Sequence, residues 1–293
     1  MIEEELEKEP SLKEILHEVF KNRFDVRSPV PSRPNYSFLI HNQKSGKESG
    51  IALEGSIIAF SGQSKTRKSS AMAMFASAIL NKDGFYGNVH TTIKSGTVLW
   101  FDTEQNEIEF NYFQKMIYRM AGVDSINPNI NYVAFNIRKY TEEQRYAIVN
   151  GLIKNLKDVV LVVIDGIADL ASSVNDMAET KKLVTRMCWW ADTYKTPIFT
   201  TIHTNKDGKD ATGSLGGFLD KKCSYHIRTS KEDYDGPTKV VPWHSRGGEG
   251  FTPFEFEHNG NGLPTVLVEH AFIGAESDES IGGPAGESSD IPF

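Results

Sequence analysis

Residues 56–70, SIIAFSGQSKTRKSS, decide the fold. Ser56–Ser61 is a short apolar run of strand type, and an Ala/Met-rich helix is expected from Ser69 to Asn81. Between them, Gly62-Gln63-Ser64-Lys65-Thr66-Arg67-Lys68-Ser69-Ser70 matches G-x-x-x-x-G-K-[ST], except that Arg67 stands at the second glycine. A strand-to-helix turn of this kind aims successive backbone N–H groups inward, and the helix N-terminus adds its positive end, so the segment suits a phosphate chain. Lys68 then reaches the β- and γ-phosphates, and the Ser69 hydroxyl ligates Mg²⁺. Arg67 must point outward or reshape the cradle, although its charge, like that of Lys65, also favours phosphates. The bland reading is a Ser/Lys-rich turn; the strand before it and the helix after it favour the phosphate loop.

The same alternation continues outward. Strands are expected at Thr97–Asp102 (TVLWFD), Asn131–Asn136 (NYVAFN), Val159–Asp165 (VVLVVID) and Pro197–His203 (PIFTTIH). Helices are expected near Ile108–Ala121, from the Thr141/Gln144 cap to about Leu156, and over Met177–Tyr194. VVLVVID is apolar on both faces, as a central parallel strand requires. Alternating strands and helices imply an α/β fold: a mostly parallel sheet flanked by helices. After residue 222 the pattern turns β-rich, with segments at Ser224–Thr229, Thr238–Trp243, Pro253–Glu257 and Pro264–Glu269.

The ends differ from this core. Residues 1–50 read as an arm: Ser11 and Glu14 form an S-x-x-E capping box. Leu12, Ile15, Leu16, Val19 and Phe20 follow at helical spacing, and Pro29, Pro31 and Pro34 mark a linker. Periodicity leaves open whether this helix packs on its own domain or on a neighbouring subunit. Residues 51–273 form the core, and the Gly/Ser/acidic residues 274–293 are expected to be disordered.

Composition limits the function classes. The chain has 293 residues and 39% apolar content, enough for a substantial core. No apolar run approaches the ~20 residues of a membrane span, and the acidic start MIEEELEKEP is not a secretory signal. Cys188 and Cys223 make no CxxC pair, which argues against a disulfide framework or a zinc site and points to a reducing cytoplasm. The net charge of -7 is concentrated at the end of the chain: residues 247–293 hold nine acids and no Lys or Arg. The preceding 246 residues balance at +2, so the net charge does not exclude a nucleic-acid partner.

Three further strand ends carry chemistry. Asp165 closes the most apolar strand, where a carboxylate orders the Mg²⁺ shell. Glu104, just past the second strand in Asp102-Thr103-Glu104, is placed to polarise an attacking water; the bland alternative is an acid at a helix start. His203 ends the fifth strand on the same edge, where ligands of parallel sheets gather, as a candidate sensor of the γ-phosphate.

Taken together, FSGQSKTRKSS, WFDTEQ, VVIDGIADL and TIHTNKDGKDATGSLGG resemble the RecA/DnaB-like P-loop ATPases, in particular RepA-like members of phages and mobile elements, over roughly residues 51–230. The resemblance implies a RecA-like core that binds ATP and Mg²⁺, with Lys68, Glu104, Asp165 and Arg246 catalytic and Ser69 with Asp165 at the metal. It implies a second DNA-binding loop over Asn205–Gly217, with Lys206, Lys209, Gly213, Ser214, Gly216 and Gly217 facing single-stranded DNA. TKVVPWHSRGGEGFTPFEFEHN is similar to a late element whose Lys and Arg reach a neighbouring subunit's γ-phosphate; His244 and Arg246 occupy those places. A homo-oligomer follows from that. Arg67 for Gly and His244 for Lys depart from the family pattern.

The chain ends Asp290-Ile291-Pro292-Phe293, similar to the acidic tip of bacterial single-stranded-DNA-binding proteins. An extended acidic tail presenting one aromatic ring and a carboxylate suits a replication or repair protein with an apolar pocket and basic rim. Three functional readings result. The first is an oligomeric ATPase acting on single-stranded DNA in replication or recombination. The second is a DNA-binding protein on a RecA-like core without turnover, with Trp243, Phe218 or Tyr225 as base stackers. The third is a motor or regulatory ATPase with no DNA role.

Overall fold

A computed structural model describes residues 11–21, 23, 27, 35–42, 45–205, 208, 210–246 and 250–267. The chain divides into two compact units, residues 1–35 and 36–293. In the first, α1 (Leu12–Lys21) starts with the expected capping box: Glu14 N donates to Ser11 Oγ, and Ser11 N donates to the Glu14 carboxylate. None of its residues is buried.

The second unit runs β1 (Tyr36–His41), β2 (Glu48–Leu53), β3 (Ile57–Gly62), α2 (Lys68–Leu80), β4 (Phe85–Tyr86), β5 (Val89–Thr91), β6 (Gly96–Asp102), α3 (Glu107–Ala121), β7 (Ile130–Asn136) and α4 (Glu142–Asn155). It continues with β8 (Val159–Asp165), α5 (Met177–Tyr194), β9 (Ile198–His203), α6 (Gly213–Lys222), β10 (Tyr225–Ser230), β11 (Thr238–Ser245), β12 (Phe254–His258) and β13 (Pro264–Val266). The main sheet has nine strands in the order β13-β12-β11-β10-β3-β9-β8-β6-β7. Strands β10, β3, β9, β8, β6 and β7 are mutually parallel; β11, β12 and β13 extend the sheet antiparallel, as the β-rich C-terminal pattern implied.

Both faces of the sheet are covered, which is why its strands read as continuous apolar runs. Ile58, Phe60, Val98, Trp100, Leu161 and Val163 face a layer containing α2 and α3. Their neighbours Ile57, Ala59, Leu99, Phe101, Val162 and Ile164 face α4, α5 and α6. Helix α2 is buried from Ser70 to Leu80, so its apolar residues lie on every side rather than in a stripe.

Its outer side is covered by a feature that the sequence reading missed, a second sheet ordered β2-β1-β5-β4. Phe38 of β1, Phe75 of α2, and Phe60 and Phe199 of the main sheet form one aromatic cluster, with ring centroids 5.2–5.7 Å apart. Residues 36–50 therefore belong to the core unit, not to the arm, because Phe38 and Ile40 are buried in that core. Among the described residues no helix is long and apolar enough to cross a membrane.

Candidate functional site

The C-terminal ends of β3, β6, β8 and β9 lie on one edge of the sheet. In the registers, Gly62 faces His203 and Asp102 faces Asp165. Every strand-end residue singled out from the sequence meets here except those of the C-terminal extension.

The phosphate loop leaves β3 at Gly62, where no side chain fits: a Cβ would lie 2.4 Å from the Thr229 carbonyl and 2.5 Å from Thr66 Oγ1. Thr66 closes the turn by donating to the Gln63 carbonyl and pairs with Thr229 Oγ1 at 2.8 Å. Lys65 and Arg67 both have positive φ, at 66° and 61°. Arg67 sits in the left-handed region as the N-cap of α2. The backbone thus keeps the conformation that glycine adopts freely, and Arg67 bears the strain. Its guanidinium lies near His258: burial, reinforced by the charges of Arg67 and Lys231, holds the His258 imidazole down to about 4. Arg67 Nη1 is buried without a hydrogen-bond partner among the described residues. Gln63 and Ser64 are exposed, whereas Ser70 is buried.

Lys68 folds over this loop. Its Nζ donates to the Gly62 and Gln63 carbonyls at 3.1 and 3.0 Å and to His203 Nδ1 at 3.2 Å. Because the ammonium has no acceptor, His203 accepts at Nδ1 and presents its N–H at Nε2. That nitrogen lies 3.5 Å from Glu104 Oε1. Burial pulls the Lys68 ammonium below its usual range, and Glu104 and Asp165 oppose that. The His203 hydrogen bond holds the Glu104 carboxyl below the usual carboxylate range.

Asp165 is buried and receives a hydrogen bond from Thr201 at 2.9 Å. Burial first, then the neighbouring Asp102, pushes its carboxyl up to about 7, against hydrogen bonds from Ser69 and Thr201. Asp102 is fully buried; its Oδ1 caps the following turn by accepting from Glu104 N and Gln105 N at 3.0 and 2.8 Å. Its Oδ2 has no hydrogen-bond partner among the described residues, and burial lifts this carboxyl to about 6. Two buried carboxylates, one of them with an orphaned oxygen, and the Ser69 hydroxyl make an all-oxygen donor set that fits a hard dication such as Mg²⁺. Asp102 was not singled out from the sequence, although WFD ends its strand as VVID ends β8.

Behind the carboxylates, Gly166 has φ 102°. A Cβ there would lie 2.1 Å from Thr103 Oγ1, which donates to the Asp165 carbonyl at 3.0 Å and to Asp169 at 2.8 Å.

Other candidates lie elsewhere. Arg246 follows β11, whose Ser245 pairs with Tyr225, which in turn pairs with Ile58 at the start of β3. It therefore sits on the sheet edge opposite its own phosphate loop, roughly 13 Å of strand away, where it donates to the Lys221 carbonyl. His244 is exposed on the same strand and pairs with His226. Gly213, Ser214, Gly216 and Gly217 are not in a loop: they form the first turns of α6. Gly216 is buried, and a Cβ there would lie 2.5 Å from the Ala211 backbone, so it serves packing. Lys206, Lys209 and the terminal Asp290, Ile291, Pro292 and Phe293 lie outside the described residues. Tyr225 is buried and accepts from Phe251 N through its hydroxyl, so it is not free to stack. Phe218 is half-buried, and Trp243 is exposed with the Arg228 guanidinium 3.3 Å from its ring centroid.

A protein-family model described as an AAA domain matches residues 46–209. A crystal structure of the RadB recombinase is similar at 15% identity and a TM-score of 0.49, over 73% of this chain and 91% of that one. No protein of curated function matches the sequence.

Proposed function

Because the chain belongs to the AAA domain family and carries an NTPase core, we propose that it binds Mg-ATP at the loop 62–70 and hydrolyses it in an oligomer that acts on single-stranded DNA. The single observation that carries the reading is the chain of contacts Lys68–His203–Glu104 across the mouth of the phosphate loop. It joins a phosphate-binding cation, a sensor position and a general base, and each contact has a reason to change when a triphosphate arrives.

The residues divide the work as follows. The loop amides and the N-terminus of α2 hold the phosphate chain. Lys68 leaves the Gly62 and Gln63 carbonyls for the β- and γ-phosphate oxygens, which are better acceptors for its charge. Released from Lys68, His203 keeps its N–H on Glu104 and orients that carboxylate. Glu104, held ionised, accepts the proton of the attacking water. Ser69 and Asp165 would hold Mg²⁺, with Asp102 beside them; when bound, the ion would help neutralise the phosphate charge. Arg246 faces away from its own loop, a position that suits a contribution to the neighbouring subunit's site. The DNA assignment is supported by the loop that leaves His203 directly, so a strand bound there would lie next to the γ-phosphate sensor. The terminal Asp290-Ile291-Pro292-Phe293 would recruit replication or repair proteins.

Calorimetry with Mg-ATP and phosphate release with and without oligo-dT test this. Saturable binding with DNA-stimulated release is expected. Tight DNA binding indifferent to nucleotide, with no turnover, would establish the binding-only alternative instead.

A further inference from the structure

On the far side of α6, away from the phosphate loop, three side chains spaced Asp220-x-x-Cys223-x-x-His226 converge. Asp220 lies in the last turn of α6, Cys223 is its C-cap, and His226 is the second residue of β10. One ligand atom from each lies within 4.8 Å of the other two. Cys223 is 4% exposed and His226 fully buried. His226 Nδ1 is hydrogen-bonded to Asp220 Oδ1, and its Nε2 is buried with no hydrogen-bond partner among the described residues. Among the described residues, Cys223 Sγ makes a weak contact, 3.8 Å to the Asp220 carbonyl. An orphaned ring nitrogen is unusual for a buried histidine, and the Cys223 thiol belongs to the same cluster.

We propose that Asp220, Cys223 and His226 form a metal site for a zinc-type ion, separate from the Mg²⁺ position at the nucleotide. The donor set decides the class. Thiolate and imidazole select borderline-soft ions such as Zn²⁺ over Mg²⁺ or Ca²⁺, which take oxygen ligands. Zn–S of about 2.3 Å and Zn–N or Zn–O of about 2.0–2.2 Å put tetrahedral ligand atoms roughly 3.3–3.8 Å apart. The widest separation therefore needs to close by at most about 1–1.5 Å, and the Asp220–His226 hydrogen bond must give way to the ion, with solvent in the fourth position. Carboxylate and thiolate together balance the charge of a dication.

The ion would pin the turn between α6 and β10. That turn is otherwise held by Cys223 N to the Leu219 carbonyl and Ser224 N to the Ile57 carbonyl. It also carries Arg246, whose backbone N donates to the Ser224 carbonyl and whose side chain donates to the Lys221 carbonyl. The absence of a CxxC pair hides such a site, because its ligands are one each of three residue types.

The test uses the untagged full-length chain, stripped with a chelator and titrated with Zn²⁺ or Co²⁺ alone in excess Mg²⁺. One equivalent of each should bind, with Co²⁺ giving the thiolate charge-transfer absorption and the visible bands of a tetrahedral ion. Cys223→Ser, close to isosteric, should abolish the charge-transfer band and weaken Zn²⁺ by more than about 100-fold, beyond the loss typical of an outer-shell partner. Asp220→Asn should weaken Zn²⁺ while keeping the band, and Cys188→Ser should change neither. Absence of stoichiometric Zn²⁺ binding by the wild-type chain would overturn the proposal. So would a band that survives Cys223→Ser or disappears with Cys188→Ser.

Discussion

Asp102 and Asp165 end adjacent parallel strands at the same register, and both carboxylates are buried. Burial lifts Asp102 to about 6 and Asp165 to about 7, and without a cation at the site the charge of Asp102 further opposes the ionisation of Asp165. The folded chain thus keeps protons that the unfolded chain releases near 3.8. Raised folded values contribute stability that is full below the unfolded pKa and lost as pH rises through the folded ones. The Mg²⁺-free protein should therefore lose melting temperature between about pH 4 and 7 through this pair, and Asp102→Asn should flatten the loss. Mg²⁺ competes with these protons, so its stabilising shift should grow over the same window. Thermal melts in EDTA and in Mg²⁺ across that range check this; a Mg²⁺ shift independent of pH would refute it.

The strain at Arg67 predicts a substitution that helps. A non-glycine residue in the left-handed region costs about 1–2 kcal/mol, partly offset in glycine by its backbone entropy. Arg67→Gly should therefore stabilise the chain by roughly 0.5–1 kcal/mol in urea unfolding. It should also raise the His258 pKa, followed by NMR, because one of the two charges holding it down to about 4 is gone. Arg67→Ala should raise the His258 pKa equally without the gain in stability. Equal stability of the two variants would rule out strain as the cause.

Gly166 and Thr103 predict the opposite kind of change. With φ 102° and a Cβ only 2.1 Å from Thr103 Oγ1, Gly166→Ala must displace the hydroxyl that ties β6 to the Asp165 and Gly166 carbonyls. A loss of about 2–3 kcal/mol is expected. The double variant with Thr103→Ala should recover part of it, because the close contact is relieved; purely additive losses would place the strain elsewhere.

These cases also show what was legible in the sequence. The strands of the parallel sheet and five of the six α-helices among the described residues were readable because each is a long run with one period, bounded by caps such as Thr141 and Gln144. The second sheet was not: β4 and β5 span only Phe85–Tyr86 and Val89–Thr91, too short to show alternation, and β2 begins with the polar Glu48 and Ser49. Helix α6 hid behind Gly213, Gly216 and Gly217, which read as a loop; burial of Leu215 and Leu219 overrides their poor propensity. At the site, the motif residues of the phosphate loop and the strand ends Asp165 and His203 were visible by type and place. Asp102 was passed over for Glu104 because pairing across the β6–β8 register is not a linear signal. The position of Arg246 on the opposite sheet edge likewise depends on how β10 and β11 pair.

If Glu104 is the general base proposed above, its contact with His203 sets the acid side of the activity profile. Glu104 must be ionised to take a proton, and His203 holds its carboxyl below the usual range. Glu104→Gln should cut turnover by about 100- to 10,000-fold with nucleotide binding retained. His203→Ala should move the acid limb of kcat/KM to higher pH, because Glu104 loses its stabilising partner. An acid limb unchanged in His203→Ala would show that another group controls it.

Arg246 and Lys68 lie on opposite edges of the same sheet, so one chain cannot bring both to one nucleotide. If each site takes Lys68 from one subunit and Arg246 from the next, the two defects complement. Lys68→Ala should abolish turnover in the pure protein. Arg246→Ala should leave nucleotide affinity within a few-fold and lower turnover by about 1,000-fold or more, the range of arginines that stabilise phosphoryl transfer. Mixing the two inactive proteins should restore activity, since some interfaces then join an intact Lys68 to an intact Arg246. The regained rate should rise with the chance of such interfaces and peak near equal proportions. If every mixture stays inactive although the two variants co-assemble by light scattering, Arg246 does not act across the interface, and its contact with the Lys221 carbonyl is its whole role.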